Sequence, residues 1–258
     1  MFRAKEFVKA ASLEEAYTLN QKRSNIVLGG FAWLKMGDRN KQAAIDLSGL
    51  GLDTIEEKEE EFSIGAMCTL RMLETHTGLN QAYGDIFKEC TRHIVGVQFR
   101  NCATVGGSIF GRFGFSDILT CMMALDTYVE LYKGGIIPLK DFVNMPKDSD
   151  ILVRVVIKKD GRRAAYLSER QTKTDFPVIA CCVAKDHERW YVAVGARPYR
   201  AVQVTFPADE TRSSKDLAEK ASSEFTYGSN LRGSAEYREH LAKVCIRRCA
   251  CKITGGEA

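Results

Sequence analysis

Two pairs of adjacent glycines are the places where this chain could hold a ligand. Gly29-Gly30, within LGGFAWL (residues 28–34), ends a short strand expected at residues 25–28, and Gly106-Gly107 lies within NCATVGGSIFGRFGFSDILT (residues 101–120). Successive glycines let the backbone turn with positive φ, which brings consecutive N–H groups onto one point. Such a concavity attracts phosphate, and the missing side chains let phosphate approach closely. Thr104 and Ser108 flank the second pair and add hydroxyl donors, whereas Gly111 and Gly114 read only as loop residues. Each pair is expected to follow an extended piece and enter an apolar helix, so that two lobes grip one diphosphate between them. Asp117 suits the acceptor of a ribose or ribityl hydroxyl; with Ser116 beside it, it suits helix N-capping equally well.

Other chemistries find little to rest on. There is no G-x-x-x-x-G-K-[ST], and Gly49-Leu50-Gly51 begins a G-x-G-x-x-G in which Thr54 takes the third glycine's place. His76, His93, His187 and His240 form no H-x3-H pair, and no serine sits in a G-x-S-x-G elbow. Cys245, Cys249 and Cys251, with His240 upstream, match neither paired C-x2-C sets nor ferredoxin runs. They are expected as buried thiols on a helix face shared by Tyr237, Leu241, Val244 and Cys245, with no metal.

The balance of 37 basic against 33 acidic side chains, net +4, gives no concentrated positive face and argues against nucleic acid. No window approaches 18 uninterrupted apolar residues, and the N-terminus has no apolar signal core. The chain is therefore expected to be soluble and cytoplasmic, with no membrane span. Nine cysteines, an odd number, with Cys68, Cys121, Cys181 and Cys182 inside apolar stretches, suit reduced buried thiols.

The elements that must position the glycine turns can be laid out along the chain. Ser12 and Glu15 form a capping box for a helix reaching Asn20, and strands at 25–28 and 43–47 complete a β–α–β–α–β lobe. The charged run 56–61 reads as an exposed hairpin edge before a strand at 61–65. Helices follow at 70–75, 84–93 and 118–125. Strands at 127–133 and 151–159 are expected with the Gly134-Gly135 turn between them. Further strands at 178–184 and 190–196, a polar stretch at 211–223 and a final helix complete an α+β chain.

QFRNCATVGGSI (residues 98–109), followed by Ser116-Asp117, resembles the second flavin-binding motif of the molybdenum hydroxylase flavoproteins. These are the FAD subunits or domains of xanthine dehydrogenase, carbon monoxide dehydrogenase and their relatives. LGGFAWL is similar to the family's first motif. RGSAEYREHL (residues 232–241), with Arg247-Arg248, resembles the signature of its C-terminal domain. The matches fall in the family's order and span nearly the whole chain.

The resemblance implies a two-lobed FAD-binding domain of the PCMH/vanillyl-alcohol-oxidase-like type over residues 1–159, with lobe one at about 1–52 and lobe two at 53–159. A small α+β domain of the CO dehydrogenase flavoprotein C-terminal type would occupy 160–258. Carried over by position, Val27, Leu28, Gly29, Gly30, Phe31, Ala32, Trp33 and Leu34 form the first phosphate-binding turn. Thr104, Gly106, Gly107 and Ser108 form the second, and Asp117 is the polar contact to FAD. Ile94 falls where relatives place an aromatic beside the flavin ring. Leu152 falls on a strand lining the flavin, and Arg170 takes the place of a lysine near the ring. The chain departs from the pattern at Phe31, where threonine, histidine or asparagine is usual. It also has Ser108 in place of asparagine and FGRFGF in place of a small-residue and proline sequence.

In that family a substrate is hydroxylated at a molybdenum centre on another polypeptide. Electrons pass through [2Fe-2S] clusters to FAD, which reduces NAD or another acceptor. This chain has neither a molybdopterin domain nor a four-cysteine ferredoxin motif. The resemblance therefore implies the flavin subunit of a multi-subunit dehydrogenase, partnered by a [2Fe-2S] subunit and a molybdopterin-binding subunit, with xanthine or another purine as the favoured substrate. The alternatives are a freestanding FAD oxidoreductase of the same fold and a flavin-free assembly or scaffold protein.

Overall fold

The computed structural model describes residues 1–209 and 213–256. Strand β1 (Arg3–Lys9) leads into helix α1 (Leu13–Asn20), where the Ser12 hydroxyl accepts the Glu15 N–H and the Glu15 carboxylate accepts the Ala11 N–H at 2.7 Å. Strands β2 (Ile26–Leu28) and β3 (Asn40–Asp46) follow, and the three lie parallel in the order β1-β3-β2. Parallel neighbours need crossovers, here α1 and a single 3₁₀ turn at Leu34–Met36, so the expected β–α–β–α–β lobe is formed.

A five-stranded antiparallel sheet comes next. It opens with the hairpin β4 (Ile55–Glu57) and β5 (Glu61–Gly65), which carries the charged run along the sheet's edge. Six short helices leave the sheet before it resumes: α2 (Leu70–Thr75), α3 (Thr77–Tyr83), α4 (Ile86–Thr91), α5 (Val97–Arg100), α6 (Val105–Phe110) and α7 (Asp117–Met123). Helix α3 has no counterpart in the sequence reading. The segment expected to be extended before Thr104 is largely α5, with only a single bridge between Thr69 and Thr104. Helices of one or two turns carry too little periodicity to be read from sequence.

The sheet is completed by β6 (Thr127–Leu131), β7 (Gly135–Pro138) and, after helix α8 (Leu139–Phe142), β8 (Leu152–Lys158), in the order β4-β5-β8-β6-β7. Gly134-Gly135 therefore turns β6 into β7, not into β8 as expected; β6 and β8 are nevertheless sheet neighbours.

The last part is a four-stranded antiparallel sheet, β9 (Arg163–Glu169), β10 (Ile179–Lys185), β11 (Arg189–Gly195) and β12 (Val202–Pro207), in the order β12-β11-β10-β9. Helices α9 (Ser214–Ser223) and α10 (Ala235–Thr254) cover one face. The polar stretch at 211–223 is thus mostly helix; Thr211 and Arg212 lie outside the described residues. Strand β10 is buried on both faces, which is why it reads as an unbroken apolar run. Its Cys182 joins the core of the second sheet and its Cys181 joins the core under α10. Burial pushes the Cys121, Cys181 and Cys249 thiols well up, which keeps them protonated and unreactive.

Helix α10 presents Arg238, Ala242, Cys245, Ile246, Cys249 and Ala250 to the core. Tyr237, expected on that face, is about half exposed, and the buried position next to it belongs to Arg238. His240 points to solvent, away from Cys245, Cys249 and Cys251. An apolar pattern cannot register a buried arginine, whose burial here is made possible by four acceptors. Arg238 donates to the carbonyls of Val178 (2.9 Å), Gly228 (2.6 Å) and Gly233 (2.6 Å), and to Asn230 Oδ1 (2.5 Å). No helix among the described residues is long and apolar enough to cross a membrane.

Arg238→Ala strands these acceptors in the interior. It is expected to cost about 3 kcal/mol or more, read as a lowered denaturation midpoint of the purified chain.

Candidate functional site

The two glycine turns meet. Strand β2 ends at Leu28, and the next residues lie directly against the N-terminus of α6. A Cβ on Gly30 would overlap the carbonyl oxygen of Cys102. One on Gly29 would sit 2.7 Å from Thr104 Oγ1, and one on Gly106 would sit 2.6 Å from the Ala66 carbonyl oxygen. None of these glycines has positive φ. In the first turn that conformation belongs to Phe31, at φ 56°, whose ring packs edge-on against Phe2 at 5.1 Å. The expectation that the glycines serve a left-handed turn is therefore corrected: they serve close backbone approach.

The two turns differ in what their N–H groups do. In the second, every amide from Val105 to Ser108 is engaged. Val105 donates to the Cys68 carbonyl, Gly106 to the Ala66 carbonyl, Gly107 to Thr104 Oγ1 at 3.2 Å and Ser108 to the Thr104 carbonyl. In the first, the N–H groups of Gly30, Phe31, Ala32 and Trp33 have no hydrogen-bond acceptor among the described residues. The second turn is consequently a brace, and the unengaged donors for an anion belong to the first. A Cβ at Gly107 would meet only Thr104 Oγ1, at 3.2 Å, so that face of the brace is open.

Both turns line one cleft of about 560 Å³. All sixteen residues selected from the sequence border it. Val27 to Leu34 form one wall, Ile94 comes from the α4–α5 connection, and Thr104, Gly106, Gly107 and Ser108 come from the start of α6. Asp117 opens α7, Leu152 opens β8 and Arg170 follows β9. The cleft also includes residues that the sequence did not single out as site residues. Lys22, Arg23 and Arg39 come from the first lobe, and His93 adjoins Ile94. Trp33 stacks on Phe176 at 5.5 Å, and Phe115 packs on Phe176 at 4.2 Å. Phe115 lies in the divergent FGRFGF segment.

Asp117 is buried and is not the helix cap; Ser116 is, accepting from the Leu119 N–H at 3.2 Å. Asp117 Oδ1 accepts from the Tyr166 hydroxyl at 2.5 Å and pairs with Arg170 Nη2. Its Oδ2 makes no hydrogen bond among the described residues. Burial pushes the Asp117 carboxyl up, opposed by Arg170 and by the Tyr166 hydroxyl. Arg170 Nη1 donates to the Asp175 carbonyl at 2.5 Å, while its buried Nε has no partner. His93 Nδ1 is also buried without a partner, and burial, then the nearby Arg170, holds this imidazole below its ordinary range. Nothing in the local sequence marks Tyr166, which reaches Asp117 through the packing of β9 against α4.

The donor set fits a dinucleotide flavin. A row of free amides suits a diphosphate, an accessible carboxylate oxygen suits a sugar or ribityl hydroxyl, and an aromatic wall with a buried guanidinium suits a planar polar ring.

Fold and cleft together define a two-lobed flavin-binding protein with an additional sheet-and-helix layer. The family model described as "FAD binding domain in molybdopterin dehydrogenase" matches residues 2–159. The chain belongs to this family, an oxidoreductase flavoprotein family whose cofactor is FAD, and is an FAD-binding subunit of the molybdenum hydroxylase type. It is 24% identical to the uncharacterized protein YgfM of Escherichia coli (strain K12), over 98% of each chain. It is 24% identical to the glyceraldehyde dehydrogenase medium chain of Sulfolobus acidocaldarius, over 92% of this chain and 94% of that one. Its fold matches a chain of reconstituted CO dehydrogenase from Oligotropha carboxidovorans with a TM-score of 0.84 at 21% identity, covering 100% of this chain and 99% of that one.

Gly30→Ala and Gly107→Val should fail differently. The first drives a methyl into the Cys102 carbonyl and is expected to destabilise the fold by about 3 kcal/mol. The second is expected to melt near wild type yet bind FAD about 100-fold more weakly, roughly 2.7 kcal/mol. Tyr166→Phe removes one donor from Asp117 and is expected to raise the FAD Kd about tenfold. Thermal melts and fluorescence titration with FAD separate the three.

Proposed function

We propose that this chain is the flavin subunit of a multi-subunit molybdenum-dependent dehydrogenase, placed between a [2Fe-2S] subunit and a final electron acceptor such as NAD. The observation that carries the reading is the row of unengaged N–H groups from Gly30 to Trp33 in the wall of the Asp117–Arg170 cleft. In this reading those amides hold the pyrophosphate, with Val27, Leu28 and Leu34 flanking them. Thr104, Gly106, Gly107 and Ser108 press from the other side, and Asp117 Oδ2 accepts a hydroxyl of FAD. Ile94, Leu152 and Arg170 border the remainder of the cofactor.

FAD, when bound, takes up electrons singly and gives them up in pairs, the chemistry needed between iron–sulfur clusters and a hydride acceptor. The chain itself binds, orients and shields. Arg170 and Tyr166 together fix the Asp117 carboxylate, and the Trp33–Phe176 stack covers apolar ring surface from water. We divide the chain at residue 159, with lobes at 1–52 and 53–159 binding FAD and 160–258 closing the cleft through Tyr166, Arg170 and Phe176. A molybdopterin-binding subunit would hold the substrate site. Xanthine or another purine is the substrate reading that accompanies the motifs, and a cytoplasmic complex is the setting.

A purified chain is expected to be yellow, or to become so with added FAD, and to release FAD on denaturation. Co-expression is expected to recover it with an iron–sulfur and a molybdenum subunit. A colourless chain that never takes up FAD would sink the reading in favour of a flavin-free assembly role. A flavin-loaded chain that assembles with neither subunit would leave a freestanding oxidoreductase.

A further inference from the structure

We infer that Arg100 is a positioning residue for the cofactor cleft: it clamps the strained turn at Val95 and thereby fixes Ile94 in the cleft wall. This inference rests on reading that cleft as the FAD site.

Val95 has φ 50°. A β-branched side chain is strained in the left-handed region, and such strain persists only where the surroundings over-determine the backbone. The side chain of Val95 does not supply that determination, because it is 44% exposed. The neighbouring backbone does. The Ile94 N–H donates to the Thr91 carbonyl at 2.8 Å, and the Ile94 carbonyl accepts from Arg100 Nη1 at 3.3 Å. The guanidinium is in turn held by a bidentate pair with Glu74 of α2, Nε to Oε2 at 2.9 Å and Nη2 to Oε1 at 3.3 Å. Both side chains are more than nine-tenths buried. Burial raises the Glu74 carboxyl, but Arg100 and Arg71 outweigh it and hold the group below its ordinary range.

The main chain of Arg100 closes the same loop, its N–H donating to the Gly96 carbonyl at 3.0 Å. The side chain therefore reaches back over the turn from which its own helix starts and ties it to α2. His93, Ile94 and Val95, the residues so tied, all border the cleft. The planar fork is what the arrangement requires. A lysine would keep the charge beside Glu74 but could not hold Glu74 and the Ile94 carbonyl in this geometry.

Arg100→Lys, Val95→Gly and the double variant test the clamp with two readouts. Glycine adopts positive φ without strain, so it should make the clamp dispensable. Arg100→Lys is expected to raise the FAD Kd about tenfold in a fluorescence titration. It is also expected to speed exchange of the Ile94 amide by about tenfold in the flavin-free chain. The double variant is expected to return both values to within about threefold of Val95→Gly alone. Wild-type affinity and exchange in Arg100→Lys would overturn the inference. A double variant as impaired as Arg100→Lys would overturn it too, since Arg100 would then serve only the packing of α2 on α5. If Arg100→Lys does not fold, the double variant decides: a folded, FAD-binding chain supports the clamp and an unfolded one refutes it. If the wild type takes up no FAD, the proposed function fails while Ile94 exchange still reports on the clamp.

Discussion

The carbonyl oxygen of Cys102 lies where a side chain on Gly30 would begin, and Thr104 Oγ1 lies 2.7 Å from where one on Gly29 would begin. These close contacts bring the end of β2 against the start of α6. With a Cβ at either place the two lobes would stand further apart. The Gly30–Trp33 amides would then leave the wall they share with Asp117. The close approach also explains the division of labour between the turns. The brace spends its N–H groups on Cys68, Ala66 and Thr104, and the turn it supports keeps its own free.

The cleft is closed by residues of β9 and of the loop that follows it. Tyr166 and Arg170, at the end of β9, converge on the carboxylate of Asp117 at the start of α7. Beyond Arg170, the loop to β10 carries Phe176 onto Trp33 of the first turn. That loop is tied down by Arg232, which donates to Asp175 Oδ1 at 3.0 Å and lies over the Phe176 ring. The arginine-rich C-terminal motif thus acts on the site from a distance. Arg232 holds the loop, and Arg238, buried under α10, joins the carbonyls of Val178, Gly228 and Gly233. A buried ion pair is costly to desolvate, and the network around Asp117 is tolerable because Tyr166 and the Asp175 carbonyl share its load.

Much of this was legible in the residues. The capping box at Ser12 and the hairpin edge at 56–61 were read from local pattern. The two glycine turns and a ligand gripped between them were read from the residues themselves, and the sixteen residues that the motif resemblance selected border one cavity. What was misread has physical causes. Helix α3 and strand β7 are short and lack periodicity. The Gly134-Gly135 turn gives no clue to whether the next strand lies beside β6 or is followed first by another. Arg238 broke the apolar pattern of α10 and displaced the reading onto Tyr237. The glycine pairs suggested positive φ because that is their commonest use; packing distance, invisible in one dimension, was the actual constraint.

The sequence by itself pointed to residues that border the cleft, because motif order and glycine placement are local properties of the chain. It also determined the class of fold, through the alternation of strands and helices and the doubly apolar run of β10. Only the tertiary structure decided which turn keeps its amides free, which atom of Asp117 stays open, and that Tyr166 reaches Asp117 and Phe176 reaches Trp33. Those outcomes depend on hydrogen bonds and contacts between residues far apart in sequence, such as the 49 positions separating Asp117 from Tyr166. A backbone donor is free or engaged only once the chain that could accept from it has been folded into place.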